Sequence, residues 1–547
     1  MNLLAAAVAL SFKPQTKMYH QTTHSNFPAS IPAAVLAIAL LTCFASTARI
    51  QAEEQLPNIV YILADDMGYG DVQALNPEGK IKTPHLDALV QGGKHFTDAH
   101  TSSSVCTPTR YGILTGRYNW RSRLKSSVLF GYSNHLIDTN RLTVPKLLKK
   151  HGYTTAAVGK WHLGMDWAIK DLNGSDLKLD SRGDPAEDQI DFTQPIANGP
   201  TTVGFDTFFG ISASLDMPPY VYIRNDKVTV VPTEVSSAFG RKGLTEKGLT
   251  PQDVLPDLTD EAVKTISKWG KDQPHFLYMP LPAPHTPIAP TEEWIDKSGI
   301  NHYADFCMQV DSTVGRVTKA IEDAGLTENT LIIFTADNGC SPRGELPVMA
   351  EHGHHTHLDF RGHKADIFEG GHRVAFIAQW PAKIEAGSKS NQLICTTDLF
   401  ATCADIVDAE IPENAAEDSV SILPALVGSD KGPLREAVVH HSINGSFAIR
   451  RGDWKLSFCP GSGGWSDPRP GKADLSDLPE NQLYNLAEDR SETKNLVADH
   501  PELVKELTDL MADYVDRGRS TDGKTQTNDG EETTFQYKAP APKKKGK

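Results

Sequence analysis

The stretch SSSVCTPTRYGILTGRY places one thiol, Cys106, between a run of hydroxyls and a proline–arginine pair, Pro108 and Arg110. A lone cysteine most often serves as a small buried hydrophobe, and by itself Cys106 reads that way. Asp65–Asp66 and Asp337–Asn338 are two pairs of hard oxygen ligands. Adjacent carboxylates repel unless a cation neutralises them. An oxygen-only set suits Ca²⁺, or less well Mg²⁺, rather than zinc. Either pair alone reads as an Asx turn or loop cap; at one locus they read as a metal site. Lys160 and His162 in GKWHLG, His285 in PAPHTP and Lys364 in FRGHK add cationic and acid–base groups. The formal net charge of −15 argues against non-specific binding to nucleic acid or anionic membranes. The positive charge needed to hold an anionic ligand must therefore be local. A cation with Lys, His and Arg around a nucleophile is equipment for clamping a phosphate-like or sulfate-like group during transfer. The histidine-rich run with His352, His354, His355 and His357 is expected to be a solvated loop, with a substrate-contacting loop as the alternative.

Several elements must position these groups. NIVYILADD, TTAAVGKWH, HFLYMPLPAPH and TLIIFTADNG are apolar runs that each end in the polar residues just named. Continuous apolar runs of this kind suit strands buried on both faces, as in a parallel sheet. If the second strand continues through GKWH, Lys160 and His162 share a face. Helical patterns lie between the runs, in HLDALVQGGK, NRLTVPKLLKKHG and DFCMQVDSTVGRVTKAIEDAG. Strand–helix alternation predicts an α/β sandwich, whose ligands sit beyond the carboxyl ends of the strands. At 547 residues, with 39% apolar and 22% charged residues, the chain should hold a large globular domain plus a smaller one.

The main α/β domain is placed at 53–433. Beyond it, short alternating runs with a Gly452–Asp453 turn read as antiparallel strands. PELVKELTDLMADYVDRG then reads as an amphipathic helix with Leu503, Leu507, Leu510, Met511 and Tyr514 on one face. These make a small α+β domain at 434–518, and the polar 519–547 tail is expected to be disordered. Residues 1–52 read as a signal peptide and N-terminal extension, with cleavage near Ala52 and Met18 as an alternative start. A membrane anchor is the competing reading, but the run is short. No stable span in the mature chain and an exported protein, periplasmic or secreted, are expected. The six cysteines left after cleavage are too sparse for a disulfide framework, and at least some should be free.

CTPTR followed by YGILTGR, with ADDMGYGD, GKWHLG, PHTP, TADNG and FRGHKADIFEGGHRV, resembles in order and spacing the motifs of the type I sulfatases. LYNLAEDRSETKNL is similar to that family's C-terminal signature, so the resemblance spans about Asn58 to Tyr514. It implies the alkaline phosphatase-like fold, a large mostly parallel or mixed sheet sandwiched by helices, with a smaller C-terminal α+β domain. It also implies that Cys106, in its C-x-P-x-R setting, is oxidised to formylglycine (3-oxoalanine) by a formylglycine-generating enzyme. One hydroxyl of the hydrated aldehyde attacks sulfur, and the second then allows sulfate to be expelled. By the same resemblance Asp65, Asp66, Asp337 and Asn338 bind Ca²⁺, with residue 106 completing the site. Arg110 stabilises the ionised diol, and Lys160 holds the diol or a sulfate oxygen. His162 is the base for sulfate expulsion, and His285 with Lys364 serves the leaving alcohol as general acid. Thr109 stands where serine is commoner in the family. The implied activity is hydrolysis of sulfate esters, on a sulfated small molecule or glycan, with aryl sulfates as surrogates. Two other readings stay open on sequence. One is a phosphonate or phosphate-ester hydrolase of the same superfamily; the other is a glycan-binding protein with an unmodified thiol.

Overall fold

The four apolar runs become four neighbouring parallel strands: β1 (Asn58–Ala64), β2 (Thr154–Lys160), β3 (His275–Pro280) and β4 (Thr330–Ala336). The computed structural model describes residues 55–537, so the segment assigned to export and the end of the tail lie outside the described residues. β4, β1, β3 and β2 stand in that order at the centre of a ten-stranded sheet. On the β4 side the sheet continues through Phe376–Gln379, antiparallel to β4, then Lys94–Phe96, antiparallel to that strand in turn, to Ser388–Ser390. On the β2 side it continues through the parallel strand Thr207–Ile211 to a short antiparallel pair, Ile223–Arg224 and Lys227–Val228.

Both faces of the central strands are buried, which is why their sequences are continuously apolar. Ile59, Tyr61 and Leu63 pack into one core, and Val60, Ile62 and Ala64 into another on the opposite face. Three helices support the site and the C-terminal part: α1 (Cys106–Thr115), α2 (His302–Asp323) and α3 (Pro501–Asp516). The side chain of Asn301 caps α2 by accepting from the Ala304 amide at 3.0 Å, which fixes where the helix starts. Among the described residues no helix is long and apolar enough to cross a membrane.

The C-terminal part is a four-stranded antiparallel sheet (Val438–His441, Phe447–Arg451, Trp454–Ser457 and Gln482–Asn485) with α3 packed on it. Leu507, Met511 and Tyr514 of α3 enter its core, while Leu503 and Leu510 are partly buried beside them. A buried polar network joins this sheet to the main one. His100 and His372 lie beside His440, and Lys455 donates to Glu369 at 3.1 Å and meets Glu492 at 2.9 Å. Arg450 spans to both oxygens of Asp98 at 2.6 and 2.8 Å. The rings of His372 and His440 stack in parallel, 3.8 Å apart and 11° from coplanar. Stacked rings cannot both direct an in-plane lone pair at one ion, and burial lowers all three imidazoles.

Two expectations need correcting. The 519–547 segment is not a free tail over its described part. Arg117 and Arg121, both fully buried, reach into residues 527–529, with Arg117 Nη1 2.8 Å from Asp529 and Arg121 Nη1 3.0 Å from Asn528. The histidine-rich loop is not simply solvated either. His354 is buried, donating from Nε2 to Asp71 at 2.9 Å and accepting at Nδ1 from the Lys80 amide. His357 is buried too, whereas His352 and His355 are exposed. All six cysteines of the described region are free and buried.

Candidate active site

The carboxyl ends of β1, β2, β3 and β4 converge, and the backbone locks them together. The Asp65 amide donates to Ala283 O at 2.9 Å and the Asp337 amide to Ala64 O at 3.0 Å. This alignment brings both acidic pairs to one fully buried locus. Asp66 adopts φ = +66°, a left-handed turn that lets its side chain swing back over the strand end. The α2 residue Tyr303 braces that turn, its hydroxyl donating to Asp66 O at 3.1 Å while meeting Asp71 at 2.5 Å.

Cys106 is the first residue of α1, at the positive end of the helix dipole. Its Sγ lies 3.7 Å from Asp65 Oδ1 and 3.7 Å from Lys364 Nζ. Burial pushes the thiol up to about 12, against the pull of Lys160 and Lys364. As a thiol, residue 106 is thus protonated at neutral pH and a poor nucleophile. One turn along α1, Arg110 is fully buried. It donates from Nε and Nη2 to Asp337 Oδ2 at 2.9 and 2.8 Å, and from Nη1 to Lys160 O at 2.8 Å. Lys160 Nζ meets Asp65 Oδ2 at 2.5 Å, and Lys364 Nζ meets Asp66 Oδ1 at 2.5 Å.

The electrostatics are those of a crowded acid cluster. Burial acts to raise Asp65, but Lys160, His285, Arg110 and Lys364 together hold it well below the usual carboxylate range. Burial and then Asp65 push Asp337 the other way, up to about 6. Lys364 is raised despite its burial, because Asp66 faces it. Whether the acidic pairs suit a cation is answered by Asn338. Its amide nitrogen donates to Asp66 Oδ1 at 2.8 Å, while its Oδ1 is buried with no partner. An orphaned buried acceptor among three carboxylates fits a hard divalent ion. Asp65, Asp66, Cys106 and His285 each bring one ligand-type atom within 4.8 Å of the others.

The two histidines are oriented by backbone carbonyls, which can only accept. His162 donates from Nε2 to Leu129 O at 2.8 Å, so its Nδ1 carries the lone pair, buried and unpartnered. Burial, Lys160 and Arg110 hold this imidazole well below its ordinary value. Contrary to expectation, Lys160 and His162 do not share a strand face. β2 stops at Lys160, and His162 sits at φ = +55°. His285 donates from Nδ1 to Thr286 O at 2.7 Å, leaving Nε2 3.7 Å from Asp66 Oδ2. Burial and then Lys364 lower it.

The predicted site residues thus fall in one cluster. Sequence reasoning missed the residues that hold it in place. Thr107 accepts from the Leu129 amide at 3.2 Å, tying the chain beside Cys106 to the carbonyl that orients His162. Asp71 gathers Tyr303, His354 and the Gly68 amide under the Asp66 turn. Asp71 lies within ADDMGYGD, which could have signalled it, whereas nothing local marks Leu129.

The sequence profile of the Sulfatase family matches residues 57–409, and the chain is a member of that family: a type I sulfatase, a sulfuric ester hydrolase. It is 32% identical over 508 residues to an N-acetylgalactosamine-6-O-sulfatase of Bacteroides thetaiotaomicron, covering 84% of this chain and 93% of that one. It is 31% identical over 485 residues to human arylsulfatase A, covering 83% and 87%. A solved Bacteroides thetaiotaomicron structure, described under the metabolism of multiple glycosaminoglycans, superposes with a TM-score of 0.72 at 30% identity, over 84% of this chain and 99% of that one. The phosphonate monoester hydrolase of Agrobacterium radiobacter shares the fold at a TM-score of 0.53 and 18% identity, over 83% of this chain and 95% of that one.

Proposed function

We propose that this sulfatase removes sulfate from a sulfated carbohydrate, using a formylglycine made from Cys106 and a Ca²⁺ held by Asp65, Asp66, Asp337 and Asn338. The observation that carries the metal assignment is the orphaned Asn338 Oδ1 among three buried carboxylates. The modification is supported by a protonated thiol at the one position where α1, Lys364 and Asp65 converge. Formylglycine supplies a hydrated aldehyde, whose second hydroxyl lets sulfate leave without hydrolysis of an ester. Ca²⁺ supplies fixed positive charge for the sulfate oxygens and the nucleophile.

The chain's own groups complete the chemistry. Arg110 and Lys160 place positive charge behind residue 106 and keep Asp65 and Asp337 ionised. Lys364, expected from the sequence to serve the leaving alcohol, lies 3.7 Å from Cys106 Sγ, and its proposed role is instead to stay protonated and hold a sulfate oxygen. His162 Nδ1, with its lone pair free, takes the proton whose loss releases sulfate. His285 Nε2 faces the leaving-group side and delivers a proton to the departing sugar oxygen when the ring is charged. The site residues are almost fully buried, which strengthens each of these interactions. The similarity to an N-acetylgalactosamine-6-O-sulfatase makes N-acetylgalactosamine 6-sulfate the first substrate to try. Export is part of the same proposal, since it would give the enzyme access to extracellular glycans. The test is release of free sulfate from N-acetylgalactosamine 6-sulfate by protein made with a formylglycine-generating enzyme and assayed with Ca²⁺. Turnover of aryl sulfates alone, with no sulfated sugar accepted, would count against the carbohydrate reading.

A further inference from the structure

The C-terminal part reaches the catalytic segment through one tight loop. The Gly464 backbone lies against residue 365, where an added Cβ would sit 2.3 Å from Ala365 O and 2.5 Å from Asp366 Oδ1. No other residue type fits there without moving the chain. Asp366, fully buried, accepts from the amides of Trp465 at 2.7 Å and Ser466 at 3.0 Å through Oδ1. Through Oδ2 it accepts from the His363 amide at 3.0 Å. One carboxylate thus pins Trp465 to the residues flanking Lys364. The same segment is tied to the loop that leads into α1, since the Ala365 amide donates to Ser104 O at 2.8 Å, two residues before Cys106.

Trp465 itself is half-buried and unused. Among the described residues its indole has no ring contact, cation–π contact or hydrogen bond, and it joins none of the hydrophobic cores. Of the eight tryptophans, six pack into or against those cores, and Trp294 is the other exception. Trp294 sits in a turn bonded to its own neighbour, with no tie to residues 363–366. An indole whose backbone is fixed beside Lys364, and which makes no ring or cation–π contact among the described residues, suits a flat apolar ligand surface.

We propose that Trp465 is a sugar-stacking platform, contributed by the C-terminal part of the chain, for the pyranose that carries the scissile sulfate. In a galacto-configured ring the axial O4 leaves C3–H, C4–H and C5–H together on one face, an apolar patch of the size of an indole. Trp465 takes that face and sets the preference for galacto- over gluco-configured sugars. This inference rests on the carbohydrate reading above.

The test compares kcat/KM for N-acetylgalactosamine 6-sulfate, N-acetylglucosamine 6-sulfate and 4-nitrophenyl sulfate in the wild type, Trp465→Ala, Trp465→Phe and Trp294→Ala. Trp465→Ala should raise KM for the galacto sugar and lower kcat/KM about tenfold or more, with a several-fold smaller change on the aryl sulfate. Trp465→Phe should recover most of the loss, and Trp294→Ala should leave the sugar-to-aryl ratio unchanged. Equal losses on all substrates without rescue by Phe would make Trp465 a structural residue. No loss on the sugar, in an enzyme that turns it over, would overturn the platform alone. A wild type that hydrolyses only aryl sulfate would overturn the carbohydrate reading, and the platform with it.

Discussion

Replacing His285 by Ala separates its proposed chemistry from its place beside the proposed metal ligands. The ring donates from Nδ1 to Thr286 O, so Nε2 is the nitrogen available to a substrate. That nitrogen lies 3.7 Å from Asp66 Oδ2, on the outer side of the acid cluster. If His285 protonates the leaving oxygen, its removal should matter in proportion to how badly that oxygen needs a proton. A sugar alkoxide is a strong base, whereas 4-nitrophenolate leaves readily without help. A positioned general acid is worth about 10²–10⁴ in rate, or roughly 3–5 kcal/mol of transition-state stabilisation. The expected result is a loss of about 10²–10⁴ in kcat/KM on a sulfated sugar, with a loss of under about tenfold on 4-nitrophenyl sulfate. The assay is steady-state kinetics on both substrates, with calcium content measured on the same preparations. Equal losses on both substrates would refute the acid role, and a parallel fall in calcium content would reassign His285 to holding Asp66.

The geometry sets four further outcomes. Asn338→Ala removes the orphaned acceptor while sparing the carboxylates, and should weaken Ca²⁺ affinity at least about tenfold by calorimetry. Chelation of Ca²⁺ should lower the melting temperature, because a ligand bound only by the folded state stabilises it, and no shift would argue against a resident ion. Deleting residues 519–547 should destabilise the protein in thermal melts, because Arg117 and Arg121 lose Asp529 and Asn528; a disordered tail would cost nothing. The fourth is the pH dependence of stability. His100, His372 and His440 are all lowered, chiefly by burial, so the unfolded chain binds more protons as pH falls below about 6.5. Asp98, Glu369, Arg373, Arg450 and Lys455 surround them, and Glu492, pushed by burial up to about 7, works in the opposite direction. From pH 6.5 to 5.5 the three histidines should lose more stability than Glu492 returns, so the melting temperature should fall. Melting temperatures that stay flat or rise over that interval would contradict this.

The strands were legible because burial on both faces leaves an unbroken apolar signature, and each run ends where its chemistry begins. The site residues were legible for the same reason: Asp65, Lys160 and Asp337 stand at or one residue past a strand end. What sequence could not show was long-range support. Arg121 and Asn528 are separated by 407 positions, and only the fold reveals that a polar segment near the end of the chain anchors two buried guanidiniums. His162 escaped the strand-face rule because its backbone turns left-handed just past β2. His354 looked solvated because the sequence around it is polar, and its partner Asp71 is 283 positions away. Trp465 was invisible for the same reason, since its significance lies in the Asp366 carboxylate that receives its amide.

The central claim is that residue 106 acts as formylglycine. The most direct measurement is the mass of the tryptic peptide His95–Arg110 from protein made with a formylglycine-generating enzyme present. Conversion of the thiol to an aldehyde predicts a loss of about 18 Da, rising with sulfatase activity across preparations. An unmodified thiol in a preparation that nevertheless hydrolyses sulfate esters would contradict the account.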